Sequence, residues 1–549
     1  MALLRLIFAP RHAPLLLSIL LFVATLVAIA LDHDRAGILA IPLAIFGGLS
    51  ALGLSDLVQT RHSVLRNYPI MAHLRFLIEE VRPEIRQYLF ESETDGSPFS
   101  RDRRALVYQR AKMQLDKRPF GTQLAVYSDG FEWMLHSMAP RPLVKSPFRI
   151  EIGGPDCTQP YSASVLNISA MSFGALSANA IRALNGGAKA GGFAHDTGEG
   201  GFSPYHAENG GDVIWEIGSG YFGCRTPEGA FSPENFAVVA RNPQIKMIEI
   251  KLSQGAKPGH GGVLPAAKVT PEIAAIRGVP LGRDCVSPPS HSAFSTPLEL
   301  IGFIGQLRAL SGGKPVGFKL CLGQPVEFLA ICKAMLSTGV TPDFIVVDGK
   351  EGGTGAAPLE FMDHLGTPMR EGLHFVHNAL VGAGLRDKIK LGCSGKILTA
   401  FDMARAMALG ADWCNSARGF MFAVGCIQSL ACHTDTCPTG VATQNPWRGR
   451  AIHVPDKAER VANFHAATLH CLAELTAAAG LDHPNQFELD HFRRRVSENS
   501  IASFADLFPV MGRSEFLRGA EDARLRVIWD RASPDRFSPQ RLDEPAALG

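Results

Sequence analysis

DFIVVDGKEGGTG (343–355), IKLGCSGK (389–396) and WCNSARG (413–419) follow one another along the chain and share one plan. Each opens with a short apolar run and breaks at Gly, Ser or Asp into a loop of small and polar residues. Upstream, VLNISAMS (165–172), FAHDTGEGG (193–201), KMIEIKLSQG (246–255), CVSPPSH (285–291) and PVGFKLCLG (315–323) repeat it, which makes eight strand candidates. Between them, SANAIRALNGGAKA (177–190), PVEFLAICKAML (325–336) and LTAFDMARAMALG (398–410) carry apolar residues at helical spacing. Strand-then-helix units in this number predict an α/β fold, a (β/α)8 TIM barrel, with chemistry in the loops after the strands. An open parallel sheet is the alternative, and the count favours closure.

Outside the barrel the texture changes. PLLLSILLFVATLVAIAL (14–31) and GILAIPLAIFGGLSALGL (37–54) are apolar and uncharged, each near the lower length limit for a helix that spans a bilayer. A short turn with Asp32, His33, Asp34 and Arg35 separates them; Arg5 and Arg11 precede the first, and Arg61 and Arg66 follow the second. The positive-inside rule then puts both ends, and the catalytic domain, on the cytoplasmic side. A cleaved signal peptide ending near Ala28-Ile29-Ala30 is the competing reading, and the second apolar run argues against it. The expected organisation is a two-helix membrane anchor (1–62), a helical and loop pre-domain (63–149), the barrel (150–450) and a C-terminal helical extension (451–549). Within the pre-domain, RRALVYQRAKMQLDK (103–117) reads as an amphipathic helix packing on the domain that follows; after residue 457, RVANFHAATLHCLAELTAAAG (460–480) reads as a helix ended by Gly480 and followed by a helical or loose tail.

Composition excludes more than it selects. The chain has 549 residues, a net charge of +2 and 19% charged residues, which fits a folded protein and gives no ground for nucleic-acid binding. Eleven cysteines over this length are no disulfide scaffold, and most stand singly in apolar runs as reduced, buried thiols.

Three groups of residues carry possible chemistry. GGTGA (352–356) is a glycine turn whose amides can face a planar ring or an anion. CSGK (393–396) and NSARG (415–419) end the last two strand candidates, where barrels hold phosphate on loop amides and a helix N-terminus; either could be only a tight turn. KLSQGAK brings Lys251, Gln254 and Lys257 to a strand end with Arg277 downstream, a set suited to a dicarboxylate and equally compatible with surface lysines. Lys319, closing an apolar strand, could stabilise negative charge on a reduced isoalloxazine. Cys426, Cys432 and Cys437, spaced C-x5-C-x4-C, point to zinc or iron–sulfur ligation, with GCIQSLACH (425–433) expected as helix before a turn at CPTG.

AMSFGALS (170–177), TGEGG (197–201), EIKLSQGAKPGHGG (249–262), SPPSH (287–291), GGTGAAP (352–358) and CHTDTCPTGVATQNP (432–446) together resemble the synthase domain of glutamate synthases, over about residues 149–479. They are most similar to the FMN-binding glutamate synthase family proteins that carry this barrel alone. The resemblance implies FMN lined by Ala170, Met171, Ser172, Lys319, Gly353 and Gly355, with its phosphate on Gly395, Ser416 and Ala417. It implies Glu199 near the reactive flavin nitrogen and Lys251 as catalytic groups, Lys251, Gln254, Lys257 and Arg277 as ligands of 2-oxoglutarate, and the three cysteines as ligands of a [3Fe–4S] cluster. Two features depart from the pattern: His260 stands where the family often has Glu, and SPPSHSAF (287–294) replaces a histidine-rich run. No amidotransferase or β-helix domain is expected on this chain.

The function expected is a glutamate synthase-type oxidoreductase acting on CH–NH2 donors, forming glutamate from 2-oxoglutarate and ammonia, the latter free or from a separate amidotransferase. No nicotinamide-type GxGxxG fold unit is read outside the barrel, so electrons are expected from a separate donor such as ferredoxin or a membrane carrier, with lipid as a further partner. The rival readings are a membrane-linked FMN/iron–sulfur dehydrogenase of another small acid or amine, and a non-catalytic docking subunit.

Overall fold

The computed structural model describes residues 10–144 and 148–539; Arg5, counted above among the flanking cations, lies outside them. The chain forms two compact units, Met1–Arg101 and Asp102–Gly549.

In the first unit, α1 (Ala13–Leu31) and α2 (Ala36–Val58) are both long and apolar enough to cross a membrane. They pack through small residues. A Cβ on Gly53 would fall 2.7 Å from Leu15 Cδ1, one on Gly47 3.0 Å from Phe22 Cε2, and the Ser50 hydroxyl lies 3.3 Å from that of Ser18. Small residues allow such close approach between apolar helices.

The second unit is built on eight parallel strands closed in sequence order: β1 (Leu166–Ile168), β2 (His195–Asp196), β3 (Val213–Ile217), β4 (Ile245–Lys251), β5 (Val316–Leu320), β6 (Phe344–Asp348), β7 (Lys390–Ser394) and β8 (Trp413–Ser416), with β8 pairing back onto β1. The barrel is as expected, but its membership differs at one place. VIWEI (213–217) is a strand that the sequence reading passed over, whereas Cys285–Val286 belongs to a two-stranded antiparallel pair with Val263–Leu264 inside the β4–β5 connection. The tail also differs: Phe492–Ser497 and Ser500–Ser503 form a hairpin that joins Glu132–Met134 in a three-stranded antiparallel sheet. Helix Arg101–Ala111 and helix Val454–Ala478 fall where helices were expected.

Strand residues alternate, and this places the chemistry. Ile214, Met247, Phe344, Val346 and Trp413 form one buried apolar cluster with Ile152, Tyr161 and Ala163 from the antiparallel pair Arg149–Ile152 and Tyr161–Ser164. Two residues further along the same faces come Glu216, Glu249 and Asp348, so the barrel is apolar toward the N-terminal ends of its strands and polar toward the C-terminal ends.

The crossover helix Pro297–Leu310 starts with a capping box: Thr296 Oγ1 accepts from Glu299 N at 3.2 Å, and Glu299 accepts from Thr296 N at 3.1 Å. Thr296→Ala is expected to lower stability by about 1 kcal/mol, seen as a shift in urea midpoint at constant slope.

Candidate functional site

Parallel strands bring all eight C-terminal ends to one face, and the loops there hold most of the residues singled out in the sequence. The centre is an ion pair: Lys251 Nζ, at the end of β4, lies 3.1 Å from Glu199 Oε2 and donates to Gln254 Oε1 at 2.7 Å. Lys257 and Arg277, both buried, add positive charge around Glu199. Burial alone would raise the Glu199 carboxyl, but Lys251, then Arg277 and Lys257, hold it below the usual carboxylate range. The pair therefore contributes stability above the ordinary carboxylate pKa, and that contribution is lost as pH falls through the depressed folded value.

Loop geometry seats the carboxylate. A Cβ on Gly262 would lie 2.1 Å from Glu199 Oε1, and one on Gly218 2.8 Å from Glu199 Cβ. The GHGG turn (259–262) thus closes against Glu199 and lines a small polar cavity with Ser219, Gln254 and Pro288. His291, not among the candidates, supports Lys251. Its Nε2 donates to the Lys251 carbonyl at 2.9 Å, leaving Nδ1, 3.1 Å from Tyr221, to accept from the phenol. Burial lowers its pKa to about 4, so the ring is neutral at pH 7.

Arg277 caps the neighbouring loop. It donates to the Phe173 carbonyl at 3.1 Å, reaches the Ser172 hydroxyl at 3.5 Å, and stacks over Phe222. Ala170, Met171 and Ser172 follow β1, with the Met171 amide on the Asp196 carbonyl.

Lys319 is placed differently from the other cations. It lies opposite Lys251 in the strand register but is paired inside the barrel with Glu216 and, at 3.2 Å, with Glu249. Asp196 belongs to the same fully buried acidic group. Desolvation, opposed by Lys319 and reinforced by Glu216, lifts the Glu249 carboxyl to about 7.

On the far side of the strand-end face, Asp348 straps three loops. Its carboxylate accepts from the Gly255 amide at 2.7 Å and from the Ser394 hydroxyl at 2.5 Å, while the Gly349 amide donates to the Ser394 carbonyl. A Cβ on Gly255 would fall 1.7 Å from the Gly349 carbonyl oxygen, so only glycine fits there. Gly355 faces open space, and Gly353 lies under Arg418, which bonds the Glu351 carbonyl. Gly395 has φ +154°, Ser416 donates to the Ile397 carbonyl, and Ala417 precedes helix Arg418–Val424. Small residues with free backbone approach suit a flat cofactor and its phosphate, so these loops fit FMN.

The cysteine loop overturns one local expectation. Helix Arg418–Val424 ends at Gly425, φ +113°, and GCIQSLACH is irregular, with Gln428 and Leu430 at positive φ and Asp435 just beyond it likewise. A helix would hold thiols in a straight register; this winding lets Cys426, Cys432 and Cys437 face one region, where, after burial, Cys432 and Cys437 raise the Cys426 thiol and Cys437 raises that of Cys432. All three are free thiols. Burial pushes the Cys437 thiol up, but amides of Ala442, Thr439 and Val441 and the Thr439 hydroxyl more than offset it and hold it below the usual thiol range. Lys268 Nζ ties this loop to the strand-end face by donating to the carbonyls of Ala175, Cys432 and Ala442. Gln444 does the same, to Gly174 and Leu176. Asp348 and Arg418 lay inside quoted motifs and were legible as strand-end charges; Lys268 carried no local signal.

A closed parallel barrel that concentrates its charges and glycine turns at the strand ends in this way has the layout of a (β/α)8 enzyme, with its site on the loops after the strands. The profile of the conserved region in glutamate synthase matches residues 157–482, and the chain belongs to the glutamate synthase family. It is 38% identical over 521 residues to the glutamate synthase large subunit-like protein YerD of Bacillus subtilis, covering 88% of this chain and 98% of that one. It is 36% identical over 316 residues to the archaeal glutamate synthase [NADPH] of Methanocaldococcus jannaschii, spanning 57% of this chain and 59% of that protein. Against the ferredoxin-dependent glutamate synthase of Cyanidium caldarium it is 38% identical over 252 residues, 46% of this chain and only 15% of the other.

Proposed function

We propose that the chain forms glutamate from 2-oxoglutarate and ammonia on FMN, with a [3Fe–4S] cluster as the electron entry. The observation that carries this reading is the convergence of Lys251, Lys257 and Arg277 on one largely buried carboxylate, a net positive pocket at the strand ends. The balance replaces C=O by CH–NH2: ammonia enters, water leaves, and two electrons and two protons are taken up. FMN, when bound, supplies the two-electron chemistry, and the cluster passes electrons singly.

The chain's own residues do the rest. Lys257 and Arg277 neutralise the two carboxylates of the substrate, and Gln254 orients the nearer one. Glu199, ionised, faces the ammonium end, and its bond to Lys251 keeps that lysine in place before substrate arrives. Ala170, Met171, Ser172, Gly353 and Gly355 leave room for the ring; Gly395, Ser416 and Ala417 present amides to the phosphate. Cys426, Cys432 and Cys437 hold the cluster beside the loop after β1. The relatives' names divide between NADPH and ferredoxin, so the barrel fits more than one donor. Here α1 and α2 favour a membrane-side carrier, with the barrel on the cytoplasmic face and residues 1–62 as the anchor. They also favour the second reading, a membrane-linked dehydrogenase of another small acid or amine. An anaerobic assay of the reduced protein with 2-oxoglutarate and either ammonia or glutamine decides between them. Glutamate from ammonia supports the proposal, and no glutamate from either nitrogen source rejects it.

Lys257→Met is expected to weaken 2-oxoglutarate binding by about ten- to hundredfold, the cost of one charge-assisted contact, with the flavin spectrum unchanged. Titrating the flavin absorbance with 2-oxoglutarate measures it; an unaltered affinity removes Lys257 from the pocket.

A further inference from the structure

The segment Met71–Ile85 (MAHLRFLIEEVRPEI) is a helix that the function above does not use. Met71, Leu74, Leu77, Ile78, Val81 and Ile85 form one stripe along it, each between 36% and 55% exposed. At about 100° per residue they cover an arc of about 120°. The opposite face is engaged: Ala72 is buried, the Phe76 ring packs edge-on against His62, and His73 Nε2 lies 2.9 Å from Asp56 Oδ1. Arg75 and Glu79, on the shoulder of the stripe, pair with each other at 2.9 Å.

What covers the stripe is decided by where the helix begins. The Ile70 amide donates to Asp56 Oδ2 at 2.9 Å, and the Ile70 side chain sits 3.0 Å from the point where a Cβ on Gly53 would be. Gly53 and Asp56 are in the last turns of α2. Ile70 adopts φ +67°, an unusual backbone for a β-branched residue, to make this junction. The first turn of Met71–Ile85 is therefore fixed at the level where the apolar part of α2 ends. The stripe is also wider than the strict two-position seam of a coiled coil, because Leu77 broadens it.

We propose that Met71–Ile85 is an interfacial helix whose apolar stripe lies in the headgroup–acyl boundary of the bilayer that α1 and α2 span. Residues 63–85 then belong to the membrane device. Lipid is the occupant because the junction at Asp56 holds the stripe at the membrane surface, continuous with the apolar faces of the hairpin. The inference rests on reading α1 and α2 as spans.

The test uses the full chain in phosphatidylcholine vesicles with and without bromine near the ester end of the acyl chains. Leu74→Trp, Ile78→Trp and, on the polar side, Glu80→Trp are compared with the parent protein. Added tryptophan at 74 and 78 is expected to be quenched at least about twofold more than at 80, as for a helix lying about 5–10 Å into the boundary. In the wild-type chain, an acyl-chain carbene label is expected on peptides from 71–85, which keeps the test valid if a variant misfolds. Protein retained after carbonate extraction, but with neither quenching nor labelling, overturns the proposal. Cross-linking between copies at 74 with no lipid signal overturns it in favour of a second chain, and labelling replaced by barrel contacts overturns it in favour of the protein's own surface. Release by carbonate removes the span reading itself.

Discussion

Lys251→Met is expected to lower glutamate formation by about two to four orders of magnitude, more than the loss of any other single cation at the strand ends. Lys251 is the nearest opposite charge to Glu199, at 3.1 Å, in a pair largely but not wholly withdrawn from water, and removing one partner of such a pair costs up to about 3–5 kcal/mol. The cost falls on the site, because Glu199 can avoid it only by taking a proton. Its carboxyl then rises from its depressed position, with only Arg277 and Lys257 left to oppose desolvation, and the acid limb of the pH–rate profile moves to higher pH. The sign in stability follows: a depressed carboxylate stabilises the folded state above its unfolded pKa, whereas a raised one destabilises it there. A parallel Glu199→Gln variant separates the two effects, since it retains Lys251 and abolishes the titration. A pH–rate profile with an unmoved acid limb, or a rate within tenfold of the parent, removes the Lys251–Glu199 pair from the chemistry.

Cys432→Ser is expected to abolish iron and acid-labile sulfide while FMN stays bound. A hydroxyl is a poor ligand for a soft iron–sulfur centre, and the loss of one of three ligands leaves too few. FMN is expected to persist because the flavin-side residues lie on the loops after β1, β6, β7 and β8, apart from Cys432. The cysteine loop touches them through Lys268 and Gln444, whose contacts on that loop are with backbone carbonyls or lie outside the cysteines, so the serine variant keeps them. Iron content, sulfide content and the flavin spectrum of anaerobically purified protein measure all three quantities. Zinc at near-unit stoichiometry without iron in the wild type rejects the cluster.

The barrel was legible because its strand-end loops are chemically loud, and the strands themselves are not. Strands buried on both faces lack the alternation that marks a half-exposed strand, so a five-residue run such as VIWEI carries no period. It ends in an ordinary Gly-Ser-Gly turn without a charged motif, and it was missed. CVSPPSH was taken in its place because its loop is distinctive, although only Cys285 and Val286 are extended. The FRRRVS strand hid behind three consecutive arginines, which read as a solvated tail until its partners at 132–134 and 500–503 are known. For the site, residue types at strand ends identified Lys251, Gln254 and Lys257, since parallel strands must deliver their ends to one face, whereas Glu199 was legible only through the family resemblance of TGEGG. What no local pattern shows is which cation turns inward. Lys319 and Lys251 occupy matching positions on adjacent strands, and they differ in their partners, Glu216 and Glu249 for Lys319 and Glu199 for Lys251.

The strap formed by Asp348 sets a rule for how this scaffold can change. The ends of β4, β6 and β7 are joined by one carboxylate and by a backbone contact at Gly255 that tolerates no side chain. A residue inserted or removed between one of those strand ends and its strapped residue breaks the bonds to the other two, so these three turns must keep their length together. Substrate preference is therefore freest to change beyond the strapped turn, in the later part of the long β4–β5 connection that carries His260, Arg277 and His291. That connection is the place to look when two related chains share every cofactor contact and differ in what they reduce.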